Sequence, residues 1–263
     1  MNRLKDKVCV ITGCSTGIGR KAAEMFAAEG AKVVIAARRV PKLEACAEGI
    51  RTAGGEVTVV PTDITDPAQC DALIAKAVEV YSKIDVLVNV AGQAEVGLHP
   101  VDDFSNEELD RIVAVNLKGT MFMTRAATKV MSEQGYGNII MVSSVSAITG
   151  CGAAVYTATK GGLVALTKHT ALRYAYKKPT IRCNCICPGT VWTDMTKVEL
   201  AAQQGGTYSP KANEFNDCVG KHGCADVGVC NTTAIANVLL FLASDESACL
   251  NGQVIVGDYG CNL

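Results

Sequence analysis

The sequence predicts an α/β fold, a doubly wound parallel sheet of about seven strands with helices on both faces. Three observations carry that expectation. Short, wholly apolar runs alternate with longer runs in helical spacing, as strands covered on both faces require. The first apolar run ends in a glycine-rich turn that opens a helical run. No low-complexity linker or internal repeat beyond this alternation divides the 263 residues, so 1–263 reads as one domain. Right-handed crossovers then wind the sheet doubly and put ligands at the carboxyl ends of its strands.

The elements follow in order. Val8 to Thr12 is the first strand, and a helix runs from about Thr16 to Glu29, stopped by Gly30. Lys32 to Ala37 is the second strand, and Pro41 opens a helix that stops at Gly54-Gly55. Val57 to Val60 is the third strand; Pro67 to Ser82 repeats apolar residues at helical spacing. Asp85 to Asn89 is the fourth strand, followed by a helical zone from Asn106 to Glu133 with a break near Asn116. Asn138 to Ser143 is the fifth strand, Ala153 to Ala175 a helix, and Ile181 to Ile186 the sixth strand. Met195 to Gln204 and Thr232 to Ala243 are helical, and Gln253 to Val256 is the last strand. Between them, about 194–230, lies a glycine-punctuated region of the kind that covers substrates.

Composition narrows the function. Net charge is −1 and aromatic residues make up 5%, so neither nucleic acid nor an anionic membrane is an expected partner. The opening residues match no signal or transit peptide, and no apolar run reaches the length of a membrane span, so a reducing cytoplasm is expected. Thirteen cysteines, an odd number with several inside strands, do not make a disulfide scaffold. Cys183, Cys185 and Cys187 alternate along one strand and read as small packing residues on one face. Cys218, His222, Cys224 and Cys230 match no standard zinc spacing; a mobile loop with reduced thiols is expected there, and no metal.

Two local patterns point to a dinucleotide. The turn Thr12-Gly13-Cys14-Ser15-Thr16-Gly17-Ile18-Gly19 sits between strand and helix, where backbone amides and the helix N-terminus receive a pyrophosphate. The second strand ends in Arg38-Arg39, with no carboxylate to hold a ribose 2′-hydroxyl. Guanidiniums there pair with a 2′-phosphate, so the expected cofactor is NADP(H). A third pattern supplies proton chemistry. Tyr156 and Lys160 stand four residues apart on one helical face; a phenol with a pKa of about 10 needs a neighbouring ammonium to work near neutrality.

Taken together, Thr12-Gly13-x-x-x-Gly17-Ile18-Gly19, Asp63-Ile64, Asn89-Val90-Ala91-Gly92, Asn116-Leu117-Lys118-Gly119, Ser143-Ser144, Tyr156-x-x-x-Lys160 and Pro188-Gly189 make the chain resemble the short-chain dehydrogenase/reductase family over essentially its whole length. The resemblance implies a Rossmann fold. It implies that Tyr156 exchanges the proton, that Lys160 lowers the tyrosine pKa and holds the nicotinamide ribose, that Ser144 binds the substrate oxygen, and that Asn116 holds a relay water. It also implies cofactor contacts at Gly13, Ser15, Thr16, Gly17, Ile18 and Gly19, at Asp63 and Ile64, at Asn89, Ala91 and Gly92, and at Pro188, Gly189, Val191 and Thr193. A homo-oligomer, tetramer or dimer, built partly on the Tyr/Lys helix, is a further implication.

The chain departs from the family pattern at three places. Tyr156 follows Ser144 by twelve residues where the family more often has thirteen, which leaves Ser143 as the rival serine and suggests a shortened Gly150-Cys151-Gly152 loop. Val90 stands where a second asparagine is common, and Tyr259 where a glycine is usual. Substrate contacts are expected at Ala94 to Leu98, Ile148 to Cys151 and Trp192. Being mostly apolar, they suggest a small-molecule secondary alcohol or ketone that is bulky and hydrophobic, such as a hydroxysteroid. Two alternatives remain: a 3-oxoacyl-acyl-carrier-protein reductase, docking its carrier on Arg125, Lys129, Arg173, Lys177 and Lys178, and a non-catalytic NADP-binding sensor.

Overall fold

The computed structural model describes residues 2–176, 181–222 and 229–261, except the His222 side chain. Seven parallel strands form one sheet: β1 (Val8–Thr12), β2 (Lys32–Ala37), β3 (Glu56–Pro61), β4 (Val86–Asn89), β5 (Gly137–Val142), β6 (Ile181–Pro188) and β7 (Val254–Gly257). Their spatial order is β3-β2-β1-β4-β5-β6-β7. The order reverses between β1 and β4, and that is where an open α/β sheet leaves a crevice at its carboxyl edge.

The sheet is buried on both faces because its strands are apolar on both. Phe26 and Ala22 of α1 (Gly17–Ala28), Leu43 of α2 (Val40–Thr52) and Leu239 of α10 (Thr232–Ala243) cover one face. Leu73 of α3 (Pro67–Tyr81), Met123 of α5 (Thr120–Gln134) and Ala171 of α7 (Ala154–Ala175) cover the other. Cys183, Cys185 and Cys187 of β6 pack into this second face, and burial pushes the Cys183 thiol up to about 12. Helix starts follow local chemistry. Asp66 caps α3 by accepting from the Ala68 amide at 2.9 Å, with Pro67 in the first turn, and Asn231 caps α10 by accepting from the Ala234 amide at 2.8 Å.

Three segments differ from the sequence expectation. The break near Asn116 is a π-helical segment, Val113–Gly119, between α4 (Asn106–Ile112) and α5; the wider turn keeps the helix continuous while re-aiming Asn116. The loop before Tyr156 contains a short helix, α6 (Ser146–Thr149), closed by Gly150 at φ +75°. The region read as mainly loop beyond Gln204 holds a second helix, α9 (Pro210–His222), after α8 (Asp194–Gln204). Its start follows local chemistry: the Ser209 hydroxyl accepts from the Ala212 amide at 3.0 Å with Pro210 in the first turn. The expectation for Cys224 falls outside the described residues, as do those for Lys177 and Lys178. Cys230 is buried, its thiol donating to the Gly257 carbonyl at 3.6 Å. Among the described residues no group of three or more His, Cys, Asp or Glu is arranged to hold a metal, and no helix is long and apolar enough to cross a membrane.

Candidate active site

The glycine turn is made by close backbone approach. Gly13 adopts φ +76°, and a Cβ there would stand 2.9 Å from the Ala91 backbone; on Gly19 a Cβ would stand 2.5 Å from the Gly13 carbonyl oxygen. The Thr12 hydroxyl ties this turn to the end of β4, accepting from the Val90 and Ala91 amides at 3.1 Å each. Arg39 donates to the Ser15 and Thr16 hydroxyls at 2.9 and 3.1 Å, so guanidinium, hydroxyls and the start of α1 converge on one spot. Arg38 lies 3.9 Å from Asp63, whose other oxygen accepts from the Thr65 amide and hydroxyl. A cavity of about 260 Å3 opens beside the turn; its lining includes Gly17, Trp192, the cations Arg20, Lys21 and Lys197, and the carboxylates Glu24 and Asp194, with Arg20 paired to Glu24 at 2.9 Å. A dinucleotide fits the glycine turn, whose backbone could receive a pyrophosphate at the start of α1 with the Arg39 guanidinium beside it.

The second half of the site is carried by α7. Lys160 is buried, its ammonium donating to the Val142 carbonyl at 2.9 Å and lying 5.5 Å from the centre of the Tyr156 ring. Burial lowers its pKa from the ordinary 10.5 to about 8. Burial likewise raises the Tyr156 hydroxyl, and a hydrogen bond with the Ser144 side chain acts in the opposite direction. In the chain alone, therefore, burial outweighs any lowering of the phenol by Lys160. A Cβ on Gly92 would meet Asn116 Oδ1 at 3.3 Å and Lys160 Nζ at 3.4 Å, so the glycine keeps that side of both groups clear.

The two serines separate clearly. Ser143 donates to the Lys160 backbone carbonyl at 2.8 Å and is committed to α7. Ser144 faces Tyr156, donates to the Ser146 hydroxyl at 3.1 Å and accepts from the Ser146 amide at 3.2 Å. Asn116 is held by Gln93: its Oδ1 accepts from the Gln93 amide at 2.8 Å, and its Nδ2 donates to the Gln93 carbonyl at 2.9 Å.

Other expected contacts fall differently. The Asn89 side chain turns into the interior, donating to the Thr124 hydroxyl at 3.3 Å, because β4 is buried on both faces; only its backbone is left for a cofactor. Ile64 is buried against Gly119. Pro188 accepts from the Val145 amide at 2.9 Å, and the Gly189 amide donates to the Gly257 carbonyl at 3.1 Å. Val191 is buried and bridges Cys230, while Thr193 caps α8 with its methyl toward Gly17.

One residue of the Ala94 to Leu98 segment has a role that its position in the sequence does not reveal. Glu95, in a segment read as mostly apolar, is 3% exposed, and its Oε2 accepts from the Tyr156 amide at 3.0 Å. With the His99 carbonyl, which accepts from the Ala154 amide at 2.9 Å, it caps a helix whose own N-cap, Ala153, has no side-chain acceptor. The absence of Ser, Thr, Asp or Asn at that start was the available signal that a cap must come from elsewhere.

A glycine cradle at the sheet's switch point, joined to a Ser/Tyr/Lys cluster whose serine and lysine are buried, defines a nucleotide-dependent oxidoreductase of the Rossmann type. The short chain dehydrogenase family model matches residues 7–204, and the chain belongs to that family. It is 36% identical to L-rhamnose 1-dehydrogenase (NAD(P)(+)) of Sphingomonas sp. (strain SKA58), over 99% of this chain and 98% of that one. It is 36% identical to the 3-oxoacyl-acyl-carrier-protein reductase of Thermotoga maritima, over 98% of each. The crystal structure of levodione reductase superposes with a TM-score of 0.86 at 32% identity, covering 97% of each chain.

Proposed function

We propose that this chain is an NADP(H)-dependent oxidoreductase that interconverts a secondary alcohol and a ketone. The observation that carries the reading is the Ser144/Tyr156 hydroxyl pair above the buried Lys160 ammonium. Bound nicotinamide would supply or accept the hydride at the carbinol carbon. In the direction of reduction, Ser144 holds the carbonyl oxygen and Tyr156 gives it a proton as negative charge grows there. Lys160 holds the cofactor ribose, and Asn116 continues the proton path outward. Arg38 and Arg39 support NADP(H) over NAD(H), since they are cations where a 2′-phosphate would lie.

The relatives named above act on a sugar, an acyl-carrier conjugate and, by its name, levodione. That spread leaves the substrate to this chain's own residues. Ile148 and Trp192, each about half exposed, support an apolar wall of the kind a bulky alicyclic compound would use. Leu172 and Tyr176, bare at the end of α7, support a homo-oligomer that buries them.

The test is turnover of a broad ketone and alcohol panel with NADPH and NADH, in the parent and in Tyr156→Phe. The parent should turn over at least one pair, faster with the phosphorylated cofactor, and the phenylalanine variant should lose ~10²–10⁴-fold in kcat while still binding NADPH. A parent inert with both cofactors would sink the reading in favour of a sensor.

A further inference from the structure

Tyr156 is the third residue of α7, so the proposed proton donor sits in the first turn of its helix, while Lys160 lies a turn further in. A first turn is where a helix frays, because its amides have no acceptor inside the helix. Ala153 supplies none, and the acceptors come instead from one distant segment. The His99 carbonyl accepts from the Ala154 amide at 2.9 Å, and Glu95 Oε2 accepts from the Tyr156 amide at 3.0 Å. Glu95 is buried; burial raises its carboxyl, and the Tyr156 amide acts in the opposite direction, so the bond steadies the carboxylate as well as the helix.

That bond closes a ring. The Tyr156 carbonyl accepts from the Thr159 hydroxyl at 2.8 Å, and the same hydroxyl accepts from Asn116 Nδ2 at 3.4 Å. Asn116 is bonded through both polar atoms to the Gln93 backbone, at 2.8 and 2.9 Å. Gln93 and Glu95 are separated by Ala94 alone. Hydrogen bonds and chain therefore run from Glu95 through Tyr156, Thr159, Asn116 and Gln93 back to Glu95. Lys160, deeper in α7, has its own anchor in the Val142 carbonyl at 2.9 Å. Within the ring, Glu95 makes the link to the Tyr156 amide, the part of the residue most exposed to fraying.

Resting on the oxidoreductase reading above, we infer that Glu95 is a positioning residue: by its reach, not its charge, it holds Tyr156 in place relative to Asn116 and Lys160. It acts on the reaction only through Tyr156. A displacement of about 1 Å at a reacting group costs on the order of 10²-fold in rate. One hydrogen bond in the first turn therefore weighs more on turnover than on stability. Its loss belongs in kcat, with KM little changed, because the proton transfer is misaligned while ground-state binding stays.

Two conservative variants separate reach from charge. Glu95→Gln keeps an oxygen at the same reach and removes the charge; Glu95→Asp keeps the charge and draws the oxygens back by about 1.5 Å. Steady-state kinetics on an alcohol/ketone pair that the parent turns over, beside thermal melts, test the inference. Glu95→Gln should stay within ~5-fold of the parental kcat and Glu95→Asp fall ~10–100-fold below it, with KM within ~3-fold in both. Equal kcat in the two variants overturns the inference: if both are high, Glu95 is a helix cap that matters only to Tm. A lower kcat in Glu95→Gln than in Glu95→Asp overturns it by showing that the charge acts, and a loss confined to KM by showing a binding role. A parent that turns nothing over defeats the oxidoreductase reading itself. The place of Tyr156 is then read from its 13Cζ resonance, assigned with Tyr156→Phe. A resonance parent-like in Glu95→Gln and shifted in Glu95→Asp upholds the positioning, and any other pattern ends it.

Discussion

The cofactor half of this molecule and its substrate half are built on different principles. From β1 to β4 the structure rests mainly on apolar strands and backbone: a glycine turn in which a Cβ would collide and the Thr12 hydroxyl bonded to two amides, with Arg39 on Ser15 and Thr16 as its main side-chain link. The substrate half, residues 93–103 with α6, α8 and α9, is held by polar side chains reaching across the chain. Glu95 caps α7, Tyr208 meets Glu199, Lys211 pairs with Asp102 at 2.7 Å, and the Ser209 hydroxyl bonds Asp103. On the proposed reading, a common ligand part would meet fixed backbone and the variable part side chains that can be exchanged without disturbing the sheet.

The two serines at the seam should break this comparison most sharply. Ser144→Ala removes the hydroxyl beside Tyr156 and should lower kcat ~10²–10³-fold with little change in Tm. Ser143→Ala removes a bond to a helix carbonyl and should cost ~1 kcal/mol of stability while turnover stays within a few-fold. Steady-state kinetics beside thermal melts of both variants check this; turnover lost only in Ser143→Ala would reverse the assignment.

Lys160 tests the seam through pH. Its amine titrates at about 8 when folded and at the ordinary 10.5 when unfolded, because burial penalises the ammonium. Below pH 8 both states are protonated and the penalty is constant. Between pH 8 and 10.5 the unfolded state binds more protons, so this group makes stability rise with pH, by up to ~3 kcal/mol over the window. Lys160→Met removes the titration. Denaturant melts of the cofactor-free proteins should show the parent gaining on the variant from pH 8 upward; a constant gap would mean that the amine is not desolvated.

Arg39 probes the cofactor half alone. Arg39→Ala removes the guanidinium on Ser15 and Thr16 and should weaken NADPH ~10–100-fold while leaving NADH nearly unchanged. Fluorescence titration of both cofactors decides it, and equal losses would place Arg39 on a part the two cofactors share.

How much of this was legible follows the same division. The seven strands, most of the helices and the Tyr156/Lys160 face could be read because burial on both sides of a sheet writes itself into local runs, and a helical face into spacing. The two serines are adjacent in sequence and not told apart by spacing alone; in the fold Ser144 faces Tyr156 while Ser143 bonds the Lys160 carbonyl. Glu95 was not legible, because its partner is an amide 61 residues away. Nor was the inward turn of Asn89, which depends on Thr124 lying opposite it. α9 is hard to read for another reason: Ser209-Pro210 is a helix start, but the glycines on either side are loop signals.

The smallest effect tests whether the polar links of the substrate half are specific or incidental. Tyr208 is buried and donates to Glu199 at 2.5 Å, and burial, then Glu199, holds its hydroxyl well above the ordinary range, so it stays protonated through any working pH. Tyr208→Phe keeps the ring packed and removes one charge-assisted hydrogen bond, worth ~1–2 kcal/mol locally. Since α8 and α9 lie outside the sheet, that loss should loosen α8, which Glu199 ties to Gly97, from the segment before α9 without lowering global stability to match. Faster amide exchange confined to 194–222 and a KM raised ~3–10-fold at unchanged kcat are the expected signs, since uniform binding is lost and the proton path is untouched. A fall in kcat with KM unchanged would show instead that the link reaches Tyr156 through Glu95, and that the two halves are less separable than their construction suggests.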